Sequence, residues 1–430
     1  MKFLYPDSQD FVDPNYNFIN DMYSEDRKKW GDKYAHELMD TDPYDGLLVA
    51  ISAIKSVPGA VISKTRYTIA EEQRFLREGA RKFLRYDGEK FKSKILMGDC
   101  GSFAYANMDK PAFEPWEVAE FYFESGFTHG CHPDHIIFDF DKTNPSAKKI
   151  NQKVLERFQI TLSYAEEFLN LTKSQKMNFE PLGVVQGWSP ASMANAAKSL
   201  EKMGYEYLAI GGLVPLTNDD IHTLLQSIRY SIKASTKIHL LGFARTDHVQ
   251  DFLKYDISSL DSTSPLIKAF KDAKRNYFLP AKNNTLEYFK AISIPQALEN
   301  KKLISAIKSG LLKSEDLLLK EGRALSSLRE FDNGKSSLDT ALNNIIEYQK
   351  CLLIASESDP IKRDKLLDLS SKTLSITLNQ TPWKNCHCSI CRSIGVEVII
   401  FRGSNRNRRR GFHNLGVYTQ HVKNLQGLPI

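Results

Sequence analysis

Between about Asp45 and Pro265 short apolar runs alternate with longer amphipathic stretches. The runs are LLVAI (47–51), KILMGD (94–99), HIIFDFD (135–141), PLGVVQG (181–187), YLAIGG (207–212) and KIHLLGF (237–243). Each has the length and composition of a strand buried on both faces. The intervening EPWEVAEFYFESG and SPASMANAAKSLEKMG have helical spacing; in the second, Ser189 predicts an N-cap, Pro190 the first helical position and Gly204 the stop. Regular β-α alternation predicts a parallel sheet. No G-x-G-x-x-G or Walker loop follows any run, which removes the main support for a dinucleotide or P-loop fold. The expected architecture is therefore α/β, a (β/α)8 TIM barrel.

At 430 residues the chain exceeds the usual size of one compact core. Three segments are expected: 1–280, an N-terminal extension and the barrel; 281–380, a helical insertion; and 381–430, a small zinc-binding module. In the insertion Leu303, Ile304, Ile307 and Leu311 recur at helical spacing, and no strand pattern stands out. The last segment carries a cysteine cluster, an apolar VEVIIF strand and an arginine-rich loop. With 42% hydrophobic and 26% charged residues the chain is not of a disordered type, and a formal charge of +6 leans only mildly towards an anionic partner. No apolar run reaches the ~18 residues of a membrane span, and the opening MKFLYPDSQDFVDP lacks a signal-type apolar stretch. The expectation is a cytoplasmic protein with no membrane partner.

In a β/α barrel the reacting groups project from the C-terminal strand ends. Those ends present Asp99, Asp139, Gln186, Gly211, Gly212, Gly242 and Asp261. Any single aspartate here is equally well explained as a cap of the next helix, but three carboxylates and an amide together describe a polar ring on one face. Of six cysteines, Cys386, Cys388 and Cys391 lie within six residues. With His413 they make a Cys3His set suited to a closed structural zinc (Zn2+) site, His387 and His421 being alternatives for the fourth ligand. A second cluster, HGCHPDH with His129, Cys131, His132, Asp134 and His135, reads as a loop broken by Gly130 and Pro133 rather than as a metal site. Arg402, Arg406, Arg408, Arg409 and Arg410 form a charge run. A solvated loop is the ordinary account of such a run; its place beside the zinc ligands favours contact with nucleic-acid phosphates.

The ordered series DCGSF, FD, VVQG, IGGL and a late strand-end aspartate, closed by C-x-C-x2-C and His-Asn-Leu, resembles the tRNA-guanine transglycosylase superfamily. The resemblance covers roughly 90–265 and 380–415. It implies Asp261 as nucleophile, Asp99 as general acid/base, and Asp139 and Gln186 as readers of the base edge. It also implies backbone contacts to the base at Gly211, Gly212 and Leu213, and Phe103 and Leu241 as the two faces of a stacking slot. The family's usual D-S-G-G-F-Q is DCGSFAY here, with Ala104 where Gln is common. Where enzymes accepting an aminomethyl deazaguanine have Gly-Glu, this chain has Leu216 and Thr217, which suits a neutral nitrile, 7-cyano-7-deazaguanine (preQ0); Thr217 is equally readable as a helix N-cap before Asp220. STSPLI after Asp261 replaces the L-P-T-R-like stretch of bacterial tRNA enzymes, and the insertion before Cys386 is foreign to them. These departures look like the bacterial DNA-modifying branch, which implies DNA and a 7-deazaguanine base as substrates and a partner ATPase with further modifying enzymes. Two other readings stay open: a tRNA-guanine transglycosylase acting on tRNA, and a non-catalytic nucleic-acid-binding subunit, against which the retention of both Asp99 and Asp261 speaks.

Overall fold

The computed structural model describes residues 1–57, 66–141, 150–425 and 427. The described residues divide into two compact units, one drawn from 1–9, 44–263, 425 and 427, the other from 10–43 and 264–424. Residues 10–43 of the N-terminal extension thus lie in the same unit as the insertion and the cysteine cluster.

The first unit is a closed barrel of eight parallel strands in sequential order. The strands are β1 (Lys2–Pro6), β2 (Gly46–Ala50), β3 (Ile95–Asp99), β4 (His129–Cys131), β5 (Glu180–Val185), β6 (Tyr207–Ile210), β7 (Lys237–Leu240) and β8 (Ser259–Asp261). Leu4, Leu48, Met97, Leu182, Val184 and Ala209 fill the interior. The helix Pro190–Met203 begins and ends as its sequence predicts: Ser189 accepts from the Ser192 amide at 3.2 Å, and Gly204 takes φ +109°.

Three strands lie outside the apolar runs: β8, marked in the sequence only by its terminal Asp261, and β1 and β4. β1 lies ahead of the β-α alternation, ends at Pro6 and leads into the other unit. β4 is His129–Cys131, inside the HGCHPDH segment, whereas HIIFDFD (135–141) forms no strand. That apolar run is buried only as far as Ile137, with Phe138 and Asp139 exposed.

Behind β3 and β4 lies the helix Pro115–Glu124. Its Tyr122 ring rests on the backbones of Gly98 and Gly130: an added Cβ would stand 2.1 Å from the ring at Gly98 and 2.4 Å from it at Gly130. Only glycine admits that approach.

The second unit holds a hairpin, Tyr277–Pro280 with Leu286–Phe289, and the short strand Ile292–Ser293 paired with Ile400–Phe401. Strand structure therefore occurs where the sequence shows only helical pattern. The helices Lys301–Lys308, Ser314–Asp332, Leu338–Ile354 and Pro360–Gln380 follow. VEVIIF is mostly a 3-10 turn, Gly395–Ile399, and the arginine run is not a loop but the entry to the helix Ser404–Leu425.

Inside this unit the arginines are structural. Asp21 accepts from Arg402 Nε at 2.5 Å and from Arg406; Glu321 meets Arg402 at 2.6 Å; Glu397 accepts from Arg406 at 2.8 Å and from Arg329 at 2.7 Å. Arg409 donates to the Asp13 carbonyl at 2.9 Å and Arg410 to those of Ala269, Val398 and Ile400 at 2.7–3.1 Å. Removing one member of a buried ion network leaves its partners unpaired. Arg406→Ala is expected to destabilise this unit by about 3–5 kcal/mol in urea unfolding of the full chain. Arg408→Ala, at a side chain one-third exposed, should cost under about 1 kcal/mol; equal losses for the two variants would contradict this account.

Candidate active site and metal centre

A cavity of about 310 Å³ opens at the C-terminal ends of the barrel strands, lined among others by Asp99, Phe103, Gln186, Gly211, Gly212, Leu213, Leu241 and Asp261. Nearly all the predicted barrel residues therefore meet in one place. Asp139 does not; it is exposed and outside the lining. The carboxylate present there is Asp134, which is 2% exposed and accepts from Gln186 Nε2 at 2.7 Å. Because β4 ends at Cys131, the residue that turns into the cavity comes five positions before the one the apolar run suggests. The crowding of polar groups in HGCHPDH was the available signal. Gly211 makes room for this pair, since a Cβ there would stand 2.4 Å from Gln186 Nε2.

The cavity concentrates negative charge. Burial, then the neighbouring Asp134 and Asp261, push the Asp99 carboxyl up to about 7, although it accepts the Gly101 amide at 3.1 Å. Burial likewise lifts Asp134 to about 6 against the opposing hydrogen bond from Gln186. Asp261, 4% exposed, accepts on the same oxygen, Oδ1, from the Gly242 amide at 2.9 Å and faces His239 Nε2 at 3.2 Å. His239 was not singled out in the sequence because it sits mid-strand in an apolar run, where a histidine is ordinarily a packing residue.

Phe103 is 47% exposed, and its ring lies 5.7 Å from that of Phe138, also exposed, giving an aromatic lip that the sequence showed only in part. Beyond Leu213, Leu216 is buried and Thr217 caps the helix Asn218–Ser231 by accepting the Asp220 amide at 3.2 Å. The helix-cap reading of Thr217 is the one realised.

In the second unit the sulfurs of Cys386, Cys388 and Cys391 lie 3.4–3.5 Å from His413 Nδ1, and the four donor atoms fall within 4.8 Å of one another. His413 Nε2 is 2.7 Å from the Phe278 carbonyl, so it carries the hydrogen and leaves Nδ1 a lone pair facing the sulfurs. Three thiols and one such imidazole fit a tetrahedral metal with no open position. His387 and His421 are not members of the group. His129, His132 and His135 engage Thr128, Pro133 and Met108 separately and do not converge on a common point.

Arg402, Arg406, Arg409 and Arg410 are at most 6% exposed and occupied by the bonds described above. Their burial, with Arg406, Arg409 and Arg410 inside the helix Ser404–Leu425 and Arg402 just before it, removes the phosphate-gripping role that their clustering suggested. Arg408 alone of the five is partly accessible. Among the described residues no helix is long and apolar enough to cross a membrane.

No protein-family model matches the chain. It is 38% identical over 419 residues to a DNA-guanine transglycosylase of Salmonella montevideo, covering 97% of this chain and 95% of that protein. It is also 24% identical over 357 residues to a tRNA-guanine(15) transglycosylase of Pyrococcus furiosus, covering 76% of this chain and 57% of that protein. A tRNA-guanine(15) transglycosylase of Thermococcus kodakarensis is 25% identical over 345 residues, with 74% and 55% covered. Barrel, cavity and relatives agree on an enzyme of the guanine transglycosylase class, a pentosyltransferase. Within that class the near end-to-end match makes the chain a member of the DNA-guanine transglycosylase family.

The raised Asp99 carboxyl has a consequence for stability. Its proton is held more tightly in the fold, to about pH 7, than at the ordinary value of 3.8. The stabilisation is therefore complete below about pH 4 and is lost as pH rises through about 7. Asp99→Asn is expected to raise the melting temperature at pH 8 while changing it little at pH 4; a change equal at both would refute the shift.

Proposed function

We propose that this enzyme exchanges guanine in DNA for 7-cyano-7-deazaguanine through a covalent bond between Asp261 and the sugar. The observation that carries the reading is the meeting of Asp99, Asp134 and Asp261 in one largely apolar cavity at the barrel's C-terminal end, supported by a relative named for DNA.

Asp261 attacks C1′ as the bond to guanine N9 breaks, passing through an oxocarbenium-like state as retaining glycosidases do. Asp99, which holds a proton near neutral pH, supplies it to the departing guanine and takes one from the incoming base. Asp134 and Gln186 face the base edge as a bonded pair, and Phe103 and Leu241 are the slot walls. Excluding water keeps the covalent sugar from hydrolysis. The nitrile is favoured because Leu216 and Thr217 bring no negative charge where an aminomethyl group would need one. The Cys3His set would hold zinc, which as a structural ion ties the cysteine-bearing segment to the helix Ser404–Leu425. A duplex hides its guanines, so the target nucleotide must leave the stack, at a cost of a few kcal/mol.

Incubation of the enzyme with labelled nitrile base, plasmid DNA and total tRNA in parallel should place label in DNA. Label in tRNA alone would replace this reading with the tRNA one, and no label in either, with further modification proteins supplied, would favour the non-catalytic subunit. In competition the nitrile should outrun the aminomethyl base. Asp261→Asn should abolish the trapped adduct, and Asp99→Ala should slow exchange by roughly 10²–10⁴-fold.

A further inference from the structure

Behind Asp261 runs a buried hydrogen-bond chain across three adjacent strands. Tyr207 Oη on β6 is 2.6 Å from Ser259 Oγ on β8; Ser259 Oγ is 2.5 Å from His239 Nδ1 on β7; His239 Nε2 is 3.2 Å from Asp261 Oδ1. His239 and Ser259 are register partners and fully buried, and Tyr207 is 4% exposed. An ionised carboxylate only accepts, so Nε2 carries the imidazole hydrogen. The buried Tyr207 hydroxyl donates to Ser259 Oγ, its hydrogen-bond partner, and the Ser259 hydroxyl in turn donates to Nδ1. Burial pushes the Tyr207 phenol up, so it keeps its hydrogen. Every donor in the chain points towards Asp261 Oδ1, which also receives the Gly242 amide. Oδ2 is left to react.

We propose that His239, its tautomer set by Ser259 and Tyr207, is the positioning residue that reserves Asp261 Oδ2 for attack and drives release of the sugar from Asp261 in the second half of the exchange. The proposal rests on Asp261 as nucleophile. In the first half the Oδ2–C1′ bond forms while the C1′–N9 pair leaves with guanine, which takes a proton from Asp99. Oδ1 is then the carbonyl oxygen of a neutral ester. In the second half the incoming base bonds C1′ through N9 and gives its proton to Asp99, while the Oδ2–C1′ pair returns to Asp261 as a carboxylate. Donors on Oδ1 stabilise the carboxylate more than the ester, because hydrogen bonds to charged acceptors are the stronger ones. They therefore favour departure of Asp261 from the sugar.

The consequence is a signature that mere loss of packing does not produce. With a guanine-containing DNA oligonucleotide and labelled guanine as exchange base, His239→Phe should slow turnover by about 10–100-fold while the fraction of enzyme trapped as covalent adduct rises. His239→Gln, whose amide can donate to Oδ1, should recover part of the rate. Tyr207→Phe, which removes one buried oxygen and keeps the ring, should shift adduct and turnover in the same directions by a smaller factor. Adduct and turnover falling together in folded Tyr207→Phe and His239→Gln, or neither changing in His239→Phe, would overturn the proposal. Asp261→Asn still forming the adduct would instead overturn the choice of nucleophile.

Discussion

The pairing of β1 with β8 on one side and β2 on the other closes the barrel, and the positions of the cavity carboxylates follow from it. Leu4 stands in register with both Asp261 and Gly46, and the Ser262 amide bonds the Leu4 carbonyl just past the last strand. With the ring closed, Ala50 aligns with Asp99 and His239 with Ser259. A parallel barrel sends all its strand ends to the same rim, so residues as far apart in the chain as Asp99 and Asp261 share one cavity, and Asp261 adds to the cost of ionising Asp99.

What was legible in the sequence were features that periodicity and spacing encode. The helix Pro190–Met203 announces itself through Ser189, Pro190 and Gly204, and the cysteine spacing foretells the group completed by His413. What was hidden lay where local pattern and tertiary role diverge. β1 is followed by nothing longer than the four-residue helix Ala35–Leu38, and β4 is three residues long in a segment full of polar side chains. HIIFDFD owes its apolar character to packing of Ile136 and Ile137 in a loop, so Asp139 was credited with the place held by Asp134. His239 and Ser259 meet only through strand register, which no local window contains.

The arginines between 402 and 410 show how charge can mislead. Arg329, Arg402 and Arg406 face Asp21, Glu321 and Glu397, contributions to the chain from its first, middle and last parts. These cations are cancelled where they stand and add little to the field felt by a polyanion outside. The modest positive balance is carried by other side chains, and composition alone could not say which. A buried network of this kind ties residues 10–43 to the C-terminal helix, and a misplaced partner there is costly.

The flat seat of Tyr122 on Gly98 and Gly130 reaches beyond packing. Gly98 is the residue immediately before Asp99, and the ring touches the strand from the side opposite the cavity. Even one methyl group at position 98 would meet that ring and force the strand to give way, carrying Asp99 with it. The outer wall thus sets the tolerance to which the Asp99 carboxyl group is machined. Position 122 and the two glycines can vary only as a matched set, so a side chain outside the cavity limits how far β3 can drift in descent.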